Sequence, residues 1–446
     1  MNENSSIDTS PQDKLSRLEA DPEFEGGTFS MILATNPSGL EVKTDKSMPR
    51  HDEEFPYPLG PEEKARIKAN YPGQMRFTTG NLAQEAQLKL RQLSPNASEN
   101  EREAVKQDYE AKRKAYLERS PTEVGLRNVR RKGDIIVLDT RPVNFPVYRA
   151  LGDSNLSKEL LEFGATSATS VALVTADNRL LVTHRNPLND PYGDMPGASA
   201  AGYFEGDFDK TTRTIRPITT ASIKHNIVKE MEEELGLEES DLSELLLIGL
   251  ALEKTQIHHE FLFYAKLNLT AEEAKTKATH ERNLHPEEFA EKFTDIEASP
   301  ETIFTLLTRL DAPMPPTHYG VFAAAGYQMV LQRDGITKAN EYKALLEKGI
   351  QENNKRINKI VRDYYLANPQ ALTSLTARQE ARLARAKNDF MAKNPQATDL
   401  EINNFTDQFV NNLPKRDPNG YNAYYLPTEQ GLPDFTTAMR KAGLIA

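Results

Sequence analysis

The stretch Lys229-Glu230-Met231-Glu232-Glu233-Glu234-Leu235-Gly236-Leu237 is the part of the chain best suited to chemistry. On a helix, positions i, i+3 and i+4 share a face, so Glu230, Glu233 and Glu234 converge. Val228, Met231 and Leu235 fall on the flank that would bury against a sheet. Carboxylates packed together repel, and such a cluster either raises its own pKa values or recruits a cation. Oxygen ligands in this number suit Mg²⁺ or Mn²⁺, ions that also bind substrate phosphates. Gly236 supplies a left-handed residue to end the helix, and Leu237 an apolar contact beyond it. Taken alone, an acidic run in a charged chain is most often a solvated helix face. The elements around it decide.

Those elements read as a mixed α/β order. Asp134 to Leu138 reads as a strand, and Val143 to Tyr148 as a second candidate. Ser170 to Thr175 is a strand, Ala176-Asp177-Asn178 a tight turn, and Arg179 to His184 the returning strand. A loop rich in Pro, Gly, Asn and Asp follows, from Asn186 to Gly197, and then a helix that ends at Gly236. Leu245 to Leu252 and Ile257 to Leu267 read as strands, and Pro300 to Leu310 as a helix.

In this setting the chain resembles the Nudix hydrolase family. The family box reads Gly, five residues, Glu, seven residues, then Arg-Glu-apolar-any-Glu-Glu-any-Gly-apolar. Lys229 to Leu237 matches the second half at every fixed position except Lys for Arg. Val171 to Val174, Leu180 to Val182, Arg185 and Met195-Pro196-Gly197 resemble the family's hairpin, its closing Arg and the Pro-Gly segment before the box. Ala201-Gly202-Tyr203-Phe204-Glu205-Gly206 resembles its Gly-Gly-any-apolar-Glu turn. The first half departs from the pattern. Counting from Gly202, the family spacing reaches position 216, yet Lys229 lies 13 residues further on. An insertion of about Asp209 to Thr219 explains the difference, because surface loops tolerate added length. The first Glu of the box has no clear counterpart; Phe208 stands there, between Asp207 and Asp209.

The resemblance implies an α/β/α sandwich with a mixed sheet, and Glu230, Glu233 and Glu234 as ligands of Mg²⁺ or Mn²⁺. It implies that Lys229 orients a carboxylate, without the two-pronged geometry of Arg. Gly236 would be structural, and Gly202 and Glu205 would shape the loop ahead of the helix. A further acid is needed as ligand or general base. Glu260 is the candidate, with Glu253 second. Alternation places His258, Glu260 and Leu262 on one face of a strand, and Ile257, His259, Phe261 and Phe263 on the other. An acid among apolar neighbours needs a partner or a metal; a strand-end Glu facing water is the competing reading. His258 and His259 lack a third zinc ligand at convincing spacing. Arg185, beside His184, is a candidate phosphate ligand or an ordinary surface ion pair.

The chain has 446 residues, which suggests two or three units. The expected divisions are a polar segment at 1–80, a helical extension at 81–132, a Nudix-like domain at 133–335 and a helical C-terminal extension at 336–446. The extensions would cap the pocket, form a homodimer or dock a partner. Near residues 363 and 389 two similar stretches, each ending in Asn-Pro-Gln-Ala, read as helices with a shared stop signal or as a short repeat. The net charge of -11 argues against a nucleic-acid surface. The basic residues Arg127, Arg130, Arg131 and Lys132 read as a solvated linker, and the Tyr421–Tyr425 segment as packing. With no cysteine, disulfides, thiolate metal sites and thiol nucleophiles are excluded. No Sec-type signal and no membrane-length apolar run is visible, so a cytoplasmic protein is expected.

The expected activity is metal-dependent hydrolysis of a phosphoanhydride in a nucleoside diphosphate linked to another group. Isopentenyl diphosphate isomerase shares the fold but uses a cysteine, which is missing here. The alternative is a Nudix-fold binding module without turnover, acting through its helical extensions.

Overall fold

The computed structural model describes residues 24–26, 29–33, 40–44, 98–99, 101–108, 122–132, 135–144, 165–184, 195–206, 208–209, 214–215, 217–253, 258–284, 292–312, 314–372, 380, 383–384, 387–388, 390–391, 394–411 and 432–445. Arg185, residues 81–97, residues 145–148 and the Tyr421–Tyr425 segment lie outside them.

In chain order the strands are β1 (Phe24–Glu25), β2 (Phe29–Leu33), β3 (Leu40–Thr44), β4 (Thr122–Lys132), β5 (Ile135–Asn144), β6 (Ala165–Val174), β7 (Arg179–His184), β8 (Pro196–Gly197), β9 (Ala200–Tyr203), β10 (Phe208–Asp209), β11 (Thr214–Ile215), β12 (Leu242–Glu253), β13 (His258–Leu267) and β14 (Lys292–Glu297). The helices that matter below are α1 (Thr220–Leu235), α2 (Ala271–Leu284), α3 (Pro300–Arg309), α4 (Pro316–Asp334), α5 (Ile336–Ala367), α6 (Asp399–Asn411) and α7 (Phe435–Lys441).

The main sheet runs β1-β2-β12-β13-β6-β4-β5-β3. β13 lies parallel to β6 and β3 parallel to β5, while the other pairs are antiparallel, so the sheet is mixed. β6 is its hub: it also pairs with β9 through Ala168 to Val171 and meets β7 at Val174. β12 and β13 are buried along most of their length, and their near-continuous apolar runs suit a sheet covered on both faces. Alternation sorts their side chains. Phe261, Phe263 and Ala265 join Ile223, Ile227, Met231 and Leu235 of α1 in one core. Leu262 and Tyr264 join Tyr319, Val321 and Phe322 of α4 in the other. The protein is therefore a mixed α/β structure with helices on both faces of the sheet.

α4 is buried from Pro316 to Gln328, the pattern of a helix enclosed on all sides. Small residues permit this. A Cβ at Gly326 would stand 2.4 Å from the Tyr342 hydroxyl of α5. α5 buries a stripe of Leu346, Ile350, Asn353, Ile357, Val361 and Tyr365 at helical spacing. Among the described residues, no helix is long and apolar enough to cross a membrane.

The packing crosses the divisions expected from composition. Phe24, Phe29 and Met31 belong to the same core as α4, α5 and α7. Glu25 N–H donates to the Glu347 carboxylate at 2.9 Å, and Gln351 and Asn354 donate to the carbonyls of Glu25 and Gly26 at 3.1 and 3.3 Å. The boundaries at 80, 132 and 335 therefore do not separate packing units. The basic stretch from Arg127 to Lys132 is no linker either; it is the second half of β4, paired with β5. In the paired Asn-Pro stretches, the side chains of Asn368 and Asn394 donate to the carbonyls of Tyr364 and Phe390, at 2.9 and 3.0 Å. That is a shared stop device, as the plainer reading held.

Phe29 stacks between Phe24 and Tyr319, with ring centroids 5.9 and 6.4 Å away. Phe29→Ala should destabilise the whole fold by about 3–5 kcal/mol. Denaturant unfolding followed on the α4–α5 side checks this; a midpoint equal to wild type would show that β2 is dispensable to the core.

Candidate active site

α1 begins and ends where the local sequence dictates. The Thr219 hydroxyl accepts from Ser222 N–H at 3.1 Å, and the Ser222 hydroxyl accepts from Thr219 N–H at 3.3 Å, a reciprocal cap. At the other end Gly236 is left-handed, with φ 63°. Its N–H and that of Leu237 donate to the carbonyls of Glu232 and Met231, and Leu237 is buried. A two-stranded pair, β10 with β11, overlaps the stretch expected as an insertion before the helix.

Between these caps α1 lies along β9. Among the described residues β9 pairs with β6 alone, so one of its edges is open, and three side chains four residues apart close it. Asn226 donates to the Tyr203 carbonyl at 3.4 Å and to the Thr169 hydroxyl at 2.9 Å. Glu234 accepts the Ala201 N–H at 3.0 Å. Glu230 lies between them against Gly202, where an added Cβ would stand 1.9 Å from the carboxylate. Only glycine allows this approach.

The outward side of the helix carries the exposed members. Lys229 Nζ is 3.1 Å from Glu205 and 3.5 Å from Glu233. Lys229 thus pairs with two carboxylates, the loop's and the helix's. Burial is the main reason the Glu230 carboxyl is pushed up to about 8, and the neighbouring Glu234 and Glu233 add to it. This is the electrostatic signature of a site that gains from a cation. Carboxylates at 230, 233 and 234 fit the hard oxygen donors that Mg²⁺ and Mn²⁺ take. Among the described residues, no three His, Asp or Glu side chains already converge as a cage. Glu233 faces Lys229 and Glu234 faces the β9 edge, so ion binding at all three requires these side chains to turn.

Glu260 is not brought to this group. It is buried on the α4 side of the sheet, sharing its face with Leu262, whereas α1 packs on the opposite face. His258 lies between two carboxylates, with Nδ1 3.3 Å from Glu253 and Nε2 3.3 Å from Glu260. Burial opposes its charge, yet the carboxylates of Glu253 and Glu260 raise its pKa. Burial likewise works against a charged Glu260, but His258, His318 and Ser170 hold its carboxyl well below the usual range. His259 points to the α1 face, and burial and the nearby His258 push it down to about 3, a neutral core histidine. His184 is buried at the end of β7.

Reading the sequence overlooked Asn226, Ser170 and His318. Asn226 carried a usable signal: a polar residue one turn before Glu230, on the flank of Ile223 and Ile227. His318 had none, because its role depends on which helix covers the second face.

The chain matches no family model and no curated protein. Among solved structures, the Deinococcus radiodurans protein DR0079 aligns with 24% of this chain at 14% identity and a TM-score of 0.18. The chain spans 57% of that protein's length. Likeness at this level carries no argument about the site.

The raised Glu230 pKa has a consequence for stability. The folded chain holds this proton more tightly than the unfolded chain, so without a cation Glu230 makes stability fall as pH rises from 4.5 towards about 8. Thermal unfolding across that range should show a shallower decline in Glu230→Gln than in wild type. Added Mg²⁺ should flatten the wild-type curve, since an ion replaces the proton. Identical pH slopes in the two proteins would rule out a strained Glu230.

Proposed function

We propose that the chain is a Nudix-type pyrophosphohydrolase acting on a nucleoside diphosphate linked to another group, with Mg²⁺ or Mn²⁺ at Glu230, Glu233 and Glu234. The observation that carries this reading is that Glu230, Glu233 and Glu234 share one stretch of α1, with the Glu230 carboxyl desolvated against Gly202 and raised to about 8 by burial and by its two acidic neighbours. The ion, when bound, neutralises charge on the phosphates and makes a nearby water easier to deprotonate. The chain's own residues do the rest. Lys229 holds Glu205 and Glu233 in place. Glu233, half-exposed beside the loop, is the carboxylate assigned to take the proton from water. Glu260, on the far face and committed to His258, is not assigned that step. Gly202 leaves the space in which Glu230 sits. Arg185, which follows β7 in sequence, remains the proposed phosphate ligand.

A second reading is a binding module of the same fold without turnover. The enlarged loop ahead of α1 and the Lys at position 229 favour it.

A panel of nucleotide sugars, ADP-ribose, dinucleotides and nucleoside triphosphates, with and without Mg²⁺, separates the two. Mg²⁺-dependent release from at least one is expected, and Glu233→Gln should lower kcat by about 100-fold or more. Wild-type turnover in that variant would sink the site assignment. Tight binding of a panel member with no release from any would favour the module.

A further inference from the structure

Four titratable side chains on the α4 side of the sheet are not used by the proposed chemistry. Glu253 ends β12, His258 and Glu260 begin β13, and His318 lies in the first turn of α4; all are buried. The His258 ring joins the two carboxylates, and His318 is near enough to Glu260 to act on its charge. Burying two carboxylates and their partners is unfavourable unless the charges pair closely, so the group is constrained to one arrangement.

Two arms lead from this group to the strand that faces α1. His318 Nδ1 accepts the Ala198 N–H at 3.1 Å, just before β9. Its ring passes so close to Gly197 that a Cβ there would stand 2.7 Å from Nδ1. The ring of Tyr203, the last residue of β9, lies 6.4 Å from that of His258, tilted by 58°. Ser170, which acts on Glu260, is also the register partner of Ala201. The group therefore reaches the β8–β9 segment just before β9, through His318, and at its end, through His258.

β9 has four residues. A strand this short takes its position from its surroundings. On its front are Glu230 and Glu234; behind it is the His258 group. We propose that Glu253, His258, Glu260 and His318 form a positioning clamp, and that this clamp holds β8 and β9 in place for the glutamates of α1. It deepens the function proposed above and rests on that reading for its catalytic consequence alone.

Hydrogen–deuterium exchange on the full chain tests it without substrate or metal. His318→Leu should speed exchange across residues 196–206 about tenfold, with α5 unchanged. His318→Asn, which keeps an acceptor near the Nδ1 position, should return exchange to within about threefold of wild type. Tyr203→Leu removes the second arm and should loosen the same segment; it decides the matter if His318→Leu does not fold. Unchanged exchange at 196–206 in the folded variants would overturn the clamp, as would equal loosening of α5 or failure of His318→Asn to rescue. If no substrate is ever released, the function falls, yet the exchange result still stands on its own.

Discussion

The Glu230 carboxylate packs directly against the Gly202 backbone, and the candidate site is built around this meeting of α1 and β9. A side chain at 202 would displace the Glu230 carboxylate from the strand edge. Without it, Asn226, Glu230 and Glu234 reach β9 together, and the edge is sealed by side chains instead of another strand. The same closeness takes Glu230 out of water beside two other acids. Its raised pKa is thus a result of the packing: burial first, then the neighbouring acids, disfavours the charged carboxylate.

The sheet divides the protein into two polar centres that do not share a face. On the α1 side the acids are crowded and short of positive charge. On the α4 side Glu253 and Glu260 are matched by His258, with His318 nearby. The contrast distinguishes their roles. The first centre keeps Glu230 desolvated beside other acids, the feature on which the proposed cation site rests. The second pairs its acids with buried imidazoles, which suits holding things still.

Much of the first centre was legible in the sequence, because its signals are local. The spacing of Glu230, Glu233 and Glu234, the pairing role of Lys229 and the Gly236 stop each depend on residues within one or two turns. Strand alternation also correctly separated Glu260 from Phe261 and Phe263. What it could not supply was the identity of the helix over each face, so Glu260 was assigned to the wrong neighbourhood. The same limit hid β4 and the partners of β2. Residues 29–33 are apolar enough to suggest a short strand or docking segment, but their partners lie more than two hundred residues away, in β12 and in the core of α4 and α5. The charges of Arg127 to Lys132 read as solvent-facing linker, although β5 offers them a full ladder.

The joining of distant segments in one core also bears on how the molecule is made. Phe24 and Phe29 pack in the cluster that contains Ala438 and Met439 of α7. Contacts of such separation close late, after the loop entropy between them has been met. During synthesis the α1 side can assemble once β13 and α2 have emerged, while the α4 side waits for nearly the whole chain. Phe24, Phe29 and Met31 are exposed through that interval, so the second core is where a growing chain is most vulnerable to aggregation.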